Sequence, residues 1–412
     1  MVAQRNKISK SLRGVAAVSA AVVGMGLSLA PSAHAAGSKW HRSCPLAESL
    51  VPGTTWHTHK LAPGVTLLEG NTTDDNGHGL VKMHVLRIAV DQPGVSFQPL
   101  MHALAQRTPL SRLAAGHKHL VAAVNTGYFD FETGAPTQPL IVNSQPLVIS
   151  SKAQRVLGFN AAGGLQTGLV HLSAKVVAGS STHSIAGINV DYASSGVEAY
   201  NSAWGSHALP STGWSAAARS VVGSSLGANA GRDARVPQSG FALTAHGRTA
   251  TQWLSGLPSG VKTGVAASVG TTTARPFVQA YGVGAQVVEQ RGHVRNDLSC
   301  NSANTTQPAR TAYGIADSGK TLVIGEVEDH PGTNVHGLDE NQMSAFMAQL
   351  GVDRAFDVDG SGSTEMLAKL PSSGALSLRT YPADGQERPM PVGLGISYVK
   401  PKVVHHKHHH KS

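Results

Sequence analysis

The sequence predicts a mixed α/β chain of the α+β kind: a large mixed β-sheet with few flanking helices, in a single domain behind an N-terminal extension. Three observations carry that expectation. Glycine is abundant (46 of 412 residues) while charged residues make up only 14%, a balance that favours short strands and turns over long polar helices. Short apolar stretches recur between Gly, Pro and Asn turns. A strong helical stripe stands out in only one place, near residues 339–351. With 41% hydrophobic residues, the chain can bury a sizeable core.

Residues 1–35 read as an export signal rather than as fold. Arg5, Lys7, Lys10 and Arg13 form a basic start, GVAAVSAAVVGMGLSLA an apolar run, and Ala33-His34-Ala35 a cleavage site. The absence of an Arg-Arg pair points to the general secretion route. The apolar run is about seventeen residues, borderline for an uncleaved anchor. No other stretch is long and apolar enough to span a bilayer, so the mature chain is expected to be secreted.

The net charge of +9 is concentrated at the two ends. Four positive charges lie in the leader and four (Lys400, Lys402, Lys407 and Lys411) in the tail, leaving +1 for residues 36–399. A nearly neutral body argues against a nucleic-acid groove. Aromatic residues, at 5%, weigh against base stacking and against a carbohydrate-stacking platform. The tail 400–412, VKPKVVHHKHHHKS with the residue before it, reads either as an anchor on an anionic cell wall, as a metal-binding tract, or as a solvated end. Cys44 and Cys300 are the two cysteines, and in an exported chain an even pair suggests one disulfide.

Residues 36–79 read as a lead-in, with strands beginning at VTLLEG and continuing through KMHVLRIAV and VSFQPL. LSRLAAGHKH (110–119) reads as a short helix, and VAAVNTGYFD (121–130) as a buried strand that breaks at Asn125. Hairpins are expected at 138–150, turning at Asn143-Ser144-Gln145, and at 156–170, turning at Ala162-Gly163-Gly164. Residues 193–238 are rich in Ser, Gly and Ala and read as an insertion or flap.

The last hundred residues are the most strongly patterned. A hairpin over 311–329 turns at Asp317-Ser318-Gly319. Asp339 opens a helix with Gln342 at capping-box spacing. Met343, Phe346, Met347 and Leu350 form its buried stripe, and Gly351 stops it. RAFDVD returns as a strand, so strand, helix and strand predict a crossover and a parallel pair.

That strand runs into FDVDGSGSTEM (356–366). As a calcium loop starting at Asp357, it offers Asp359 and Ser361 at positions 3 and 5, Gly362 at 6 and Glu365 at 9. Position 12 is Ala368, so the bidentate ligand of an EF-hand is missing. Another cation geometry using Asp357 and Asp359 stays open. As a cradle, Gly360, Ser361, Gly362, Ser363 and Thr364 let backbone N–H groups and hydroxyls approach an anion. It is neither a Walker loop nor a nucleophile elbow.

VNTGYFD (124–130), ARTAYGI (309–315) and DVDGSGST (357–364), in that order and with AGIN at 186–189, resemble the phosphodiester glycosidase family over roughly residues 80–399. The family pattern has Asn-Leu-Asp-Gly-Gly-Gly-Ser where this chain has Asp357-Val358-Asp359-Gly360-Ser361-Gly362-Ser363, and Asn-Gly-Gly where it has Asn125-Thr126-Gly127. The resemblance implies hydrolysis of a sugar-1-phosphodiester to free sugar and a phosphomonoester, and it implies no nucleotide or organic cofactor.

The residues suit that chemistry. A phosphomonoester leaves readily, since its second pKa is about 6. The site then needs cationic and N–H donors on phosphate, plus a carboxylate to stabilise an oxocarbenium-like centre or to activate water. Arg310 is the expected phosphate ligand, because a guanidinium fork matches two phosphate oxygens. Asp359 is the expected carboxylate, with Asp357 as a pKa-shifting neighbour or a cation ligand. Asn125, Gly127 and the 360–364 cradle complete the expected substrate-binding set. Glu326, Glu328, Asp329 and Glu365 are reserve carboxylates. The rival reading is a non-catalytic extracellular protein that holds anionic cell-wall glycopolymers.

Overall fold

Alternation along the strands sets the layers. In Leu165–Ala178 the second half alternates buried and exposed side chains, as in a sheet with one face on a core and one toward solvent. Leu120–Asn125 is buried at every position, as in a strand covered on both faces. The computed structural model describes residues 53–73, 79–190, 195–210, 215–230, 234–289 and 307–402, with backbone only at 215 and 216. Residues 1–35, read as an export signal, together with Cys44, Cys300 and residues 403–412, lie outside the described residues, and so does the expected disulfide.

Three sheets replace the single large one expected. The seven-stranded sheet runs Thr55–Ala62, Val65–Thr73, Leu80–Ala89, Thr321–Val327, Arg310–Ala316, Arg354–Asp357 and Gln286–Val288. The five-stranded sheet runs Leu376–Leu378, Met366–Lys369, Leu120–Asn125, Gly393–Tyr398 and Val95–Leu100. An eleven-stranded sheet is built from strands between residues 140 and 282. Helices are few: among the described residues, Leu110–Ala114, Arg248–Gly256 and Glu340–Gln349 are the α-helices.

The main core joins these layers. Leu67, Leu86, Tyr313, Ile324 and Phe356 from the seven-stranded sheet pack with Ala122, Val124, Met366, Leu394 and Ile396 from the five-stranded one. Leu157, Phe159 and Tyr281 of the eleven-stranded sheet join the same cluster. On the other face of the seven-stranded sheet, the helix Glu340–Gln349 buries Met343, Phe346 and Met347 against Met83, Val85, Ala312 and Val327. Its capping box forms as expected: the Gln342 amide N–H donates to Asp339 Oδ1 at 2.8 Å, and the Asp339 N–H donates to Gln342 Oε1 at 2.9 Å.

Strand pairing and helix length are corrected. Thr321–Val327 and Arg354–Asp357 do not form a parallel pair, because Arg310–Ala316 lies between them and is antiparallel to each. Leu80–Ala89 already occupies the other edge of Thr321–Val327, so the returning strand takes the free edge of Arg310–Ala316. The sheets are almost wholly antiparallel; the parallel ladder between Ser181–Ile188 and Gly196–Tyr200 is the exception among the described strands. The helix at 110 stops at Ala114, because Ala115 is extended and Gly116 has φ +82°.

The described residues of 193–238 are partly built into a sheet. They supply Gly196–Tyr200, Ser215–Val222 and Ser225–Asn229 to the eleven-stranded sheet. Buried Arg219 anchors them, its guanidinium donating to the carbonyls of Gly227, Leu254 and Leu257. Small side chains hid these strands from a hydrophobic pattern.

Candidate active site

The three motifs converge where the five- and seven-stranded sheets meet. Leu120–Asn125 and Met366–Lys369 pair in one sheet, and Arg310–Ala316 and Arg354–Asp357 in the other. The loop 358–365 therefore bridges the two. Asn125, 1% exposed, staples that bridge. Its Nδ2 donates to the Asp359 carbonyl at 2.7 Å, and its Oδ1 accepts from the Thr311 hydroxyl at 3.0 Å. The Tyr313 hydroxyl donates to its carbonyl. Both ends of the side-chain amide are thus held by protein groups, a positioning arrangement rather than an open hydrogen-bonding edge.

Backbone contacts lock the cradle beside Arg310. The Ser361 N–H donates to the Ala309 carbonyl at 2.7 Å, and a Cβ on Gly360 would lie 3.7 Å from the Arg310 Cα. Ser361 itself sits at φ +54°, a left-handed conformation that glycine adopts freely and serine does not. The family's glycine at this position thus has a backbone reason. A Cβ on Gly362 would fall 2.2 Å from both Arg388 Nη2 and Asp384 Oδ2, so a side chain there would displace the Arg388–Asp384 pair.

Arg310 and Asp357 form an ion pair, Nη1 to Oδ2 at 3.6 Å. The Arg310 Nε–H donates to the Leu338 carbonyl, which fixes the guanidinium. The Tyr128 hydroxyl donates to Asp357 Oδ2 at 3.3 Å. Burial pushes Asp357 up to about 7, outweighing the opposing pull of Arg310. Burial likewise raises Asp359 to about 6, against the Ser363 hydroxyl, the Arg388 charge and the Gly360 N–H, which donates at 3.0 Å. Burial and the two aspartates hold the Tyr128 phenol far above its ordinary range, so it stays a donor.

Two site residues were not legible beforehand. Tyr128 belongs to the VNTGYFD motif, whose spacing does not distinguish its hydroxyl from that of a packed core tyrosine. Its loop starts at Gly127, where a Cβ would lie 2.7 Å from the Gly282 carbonyl oxygen, so Gly127 permits close passage of the chain. Arg388 carried no motif at all. It is paired with Asp384 through two contacts of 2.7 and 3.0 Å, and its Nη1 reaches the Ser363 hydroxyl at 3.4 Å. Its own N–H donates to Glu365 Oε1 at 2.6 Å. The site thus has two cations: Arg310 beside Asp357, and Arg388 beside Asp359 and Ser363.

The reserve carboxylates stand behind this front. Glu365 is buried, and burial raises it to about 8. Glu326 is level with Thr311 and with His84 in the ladder, buried, and likewise raised to about 8. Glu328 is bound to His84 at 2.8 Å and to His330 at 2.6 Å, and it accepts the Tyr381 N–H at 3.0 Å. Arg379 forks onto Glu69 at 2.8 and 2.9 Å. These contacts tie down the start of the loop that delivers Arg388. Among the described residues, no group of three or more His, Cys, Asp or Glu is placed to hold a metal ion.

A sheet-rich chain with this site matches the phosphodiester glycosidase family model over residues 227–397, a segment that contains Arg310, the 357–364 loop and Arg388. The resemblance carried by the motifs is therefore shown for that segment. Solved structures of two proteins, at 20% and 17% identity, share the fold. A hypothetical protein from Synechocystis superposes with a TM-score of 0.66 at 20% identity, over 84% of this chain and 64% of that one. The chain thus spans just under two thirds of that relative's length. A Burkholderia pseudomallei K96243 protein, named as exported on a provisional basis, gives 0.63 at 17% identity, over 77% and 74% of the two chains. The pro-peptide-inhibited catalytic domain of zebrafish N-acetylglucosamine-1-phosphodiester α-N-acetylglucosaminidase gives 0.44 at 15% identity, over 84% and 89%. No curated protein matches the chain.

Proposed function

We propose that this chain is an exported hydrolase of glycosyl-phosphate diesters, releasing a free sugar and a phosphomonoester. The observation that carries the reading is the meeting of Arg310, Asp357 and Tyr128 with the Asp359–Thr364 loop and Arg388 at one place. Two guanidiniums and the exposed Ser361 hydroxyl suit a phosphate whose charge grows as the C–O bond breaks, whereas the N–H groups of Gly360, Ser361 and Ser363 already donate to Asp359, Ala309 and Gly360. Asp359, raised only to about 6, is mostly ionised at neutral pH and suits the electropositive anomeric carbon or an attacking water. Asp357, at about 7 and linked to Tyr128, is suited to hold or exchange a proton. The substitutions from the family pattern leave this arrangement of groups available.

Export is proposed from the basic start, apolar run and A-x-A site of residues 1–35. Among the described residues, no helix is long and apolar enough to cross a membrane. The test is incubation of the purified chain with hexose-1-phosphate methyl diesters, assaying free sugar and methyl phosphate. Water labelled with oxygen-18 distinguishes the bond broken: label in the sugar means C–O cleavage, label in the phosphate P–O cleavage. No sugar released above the spontaneous rate, with or without added divalent cation, would defeat the proposal.

A further inference from the structure

We infer that Phe131, backed by Arg388, is a stacking platform for the apolar face of a pyranose ring, and so the part of the site that recognises the sugar. The inference rests on the diester reading above and adds the subsite that binds the glycosyl group. Phe131 is 62% exposed, although it is a large apolar side chain. A singly exposed apolar residue is ordinary in itself; position and preorganisation set this one apart.

The ring lies three residues after Tyr128, whose hydroxyl reaches Asp357. Asp130 locks the intervening turn: its Oδ1 accepts from the Glu132 N–H at 2.9 Å, the Thr133 N–H at 2.6 Å and the Thr133 hydroxyl at 3.0 Å. Phe129 is itself buried, and its ring braces Phe131 at 5.0 Å between centroids. The Arg388 Cζ lies 5.5 Å from the Phe131 ring centroid, while the same guanidinium touches Ser363 of the cradle. One arginine therefore joins the aromatic ring to the proposed phosphate cradle.

The electron-rich face of an aromatic ring attracts groups that carry partial positive charge, such as the guanidinium here and the axial C–H bonds of a pyranose. A fixed ring also loses little conformational freedom on binding. A sugar resting on Phe131 would direct its anomeric phosphate toward Arg388 and Ser363, with Asp359 beside them. A chain poor in aromatics thus gathers Tyr128, Phe129 and Phe131 in one loop at this site.

The probes are the non-hydrolysable monomethyl esters of glucose-, galactose- and N-acetylglucosamine-1-C-phosphonate, titrated calorimetrically, with dimethyl phosphate as the sugar-free control. Phe131→Ala should weaken the best-bound sugar phosphonate about five- to tenfold, the range expected of one aromatic contact. It should leave the weak binding of dimethyl phosphate and the melting temperature unchanged. Phe131→Tyr and Phe131→Trp should retain sugar binding. Equal affinity of wild type and Phe131→Ala for every phosphonate would overturn the inference, as would no binding of any of them by the wild type.

Hydrolysis of the matching diesters separates this inference from the reading beneath it. Hydrolysis by Phe131→Ala with unchanged KM removes the platform and leaves the hydrolase. Phosphonate binding that depends on Phe131, without any sugar release by the wild type, removes the hydrolase and keeps the platform.

Discussion

Glu326 is a carboxyl group whose cost can be read as a pH dependence of stability. It is fully buried, and neither carboxylate oxygen has a hydrogen-bond partner. Burial raises it from 4.5 to about 8, with Glu365 and Glu328 adding to the rise and the His84 charge opposing it. Because the folded pKa lies above the unfolded one, the native state holds the proton more tightly between pH 4.5 and 8. Stability is then fully present below about pH 4.5 and is lost as pH rises toward and through 8.

At about 1.4 kcal/mol per pH unit, the full linkage is about 5 kcal/mol, of which about 3 to 4 kcal/mol falls between pH 5 and pH 8. Glu365, also raised to about 8, slopes the same way, and His84, raised to about 9, adds stability that fades at the alkaline end of the window. Glu69, lowered to about 2, acts only below that window. Urea unfolding followed by tryptophan fluorescence at pH 5 and pH 8 measures the slope. Glu326→Gln cannot ionise, so its stability should fall by about 3 kcal/mol less than that of the wild type over the same interval. Parallel pH dependences for the two proteins would refute the reasoning.

Three further outcomes are expected. Asp359→Asn should lower kcat on the hexose-1-phosphate diester by about a hundredfold or more with the fold intact, as circular dichroism would check. Arg388→Gln removes a positive charge that lowers Asp359, so the acid limb of kcat/KM, expected near pH 6, should move to higher pH; an unmoved limb would detach Arg388 from Asp359. Ser361→Gly relieves a left-handed serine at φ +54° and should stabilise the protein by about 1 kcal/mol in urea unfolding.

Much of the local structure follows from the chain alone. The capping box at Asp339, the Met343–Phe346–Met347 stripe and the turn at Asp317-Ser318-Gly319 depend on neighbours within a few residues and form as read, while the turn expected at Asn143-Ser144-Gln145 closes over Asn143 and Ser144, with Gln145 already in the strand. The left-handed φ values of Asn143 and Ser144 explain why that turn is tight. The three motifs were visible for a related reason: each is a run whose turn chemistry and carboxylate spacing can be read from adjacent positions.

Sheet partners were less legible. The free edge that Arg354–Asp357 occupies depended on Leu80–Ala89, more than two hundred residues away, having taken the competing edge. The strands within 196–229 carry little sequence signal because Ala, Ser and Gly alternate weakly, and their burial comes from the neighbouring strands and from Arg219.

By itself the sequence determined the residue chemistry at the site: an arginine, two aspartates one residue apart and a small-residue loop that can approach an anion. Only the tertiary structure decided which groups face one another. It brought Arg388 to Ser363, Tyr128 to Asp357 and Phe131 to Arg388, and it turned Asn125 inward as a staple. The physical reason is that hydrogen bonds and charge interactions act over a few ångströms in space. Separation along the chain carries no record of which distant side chains folding brings within that range.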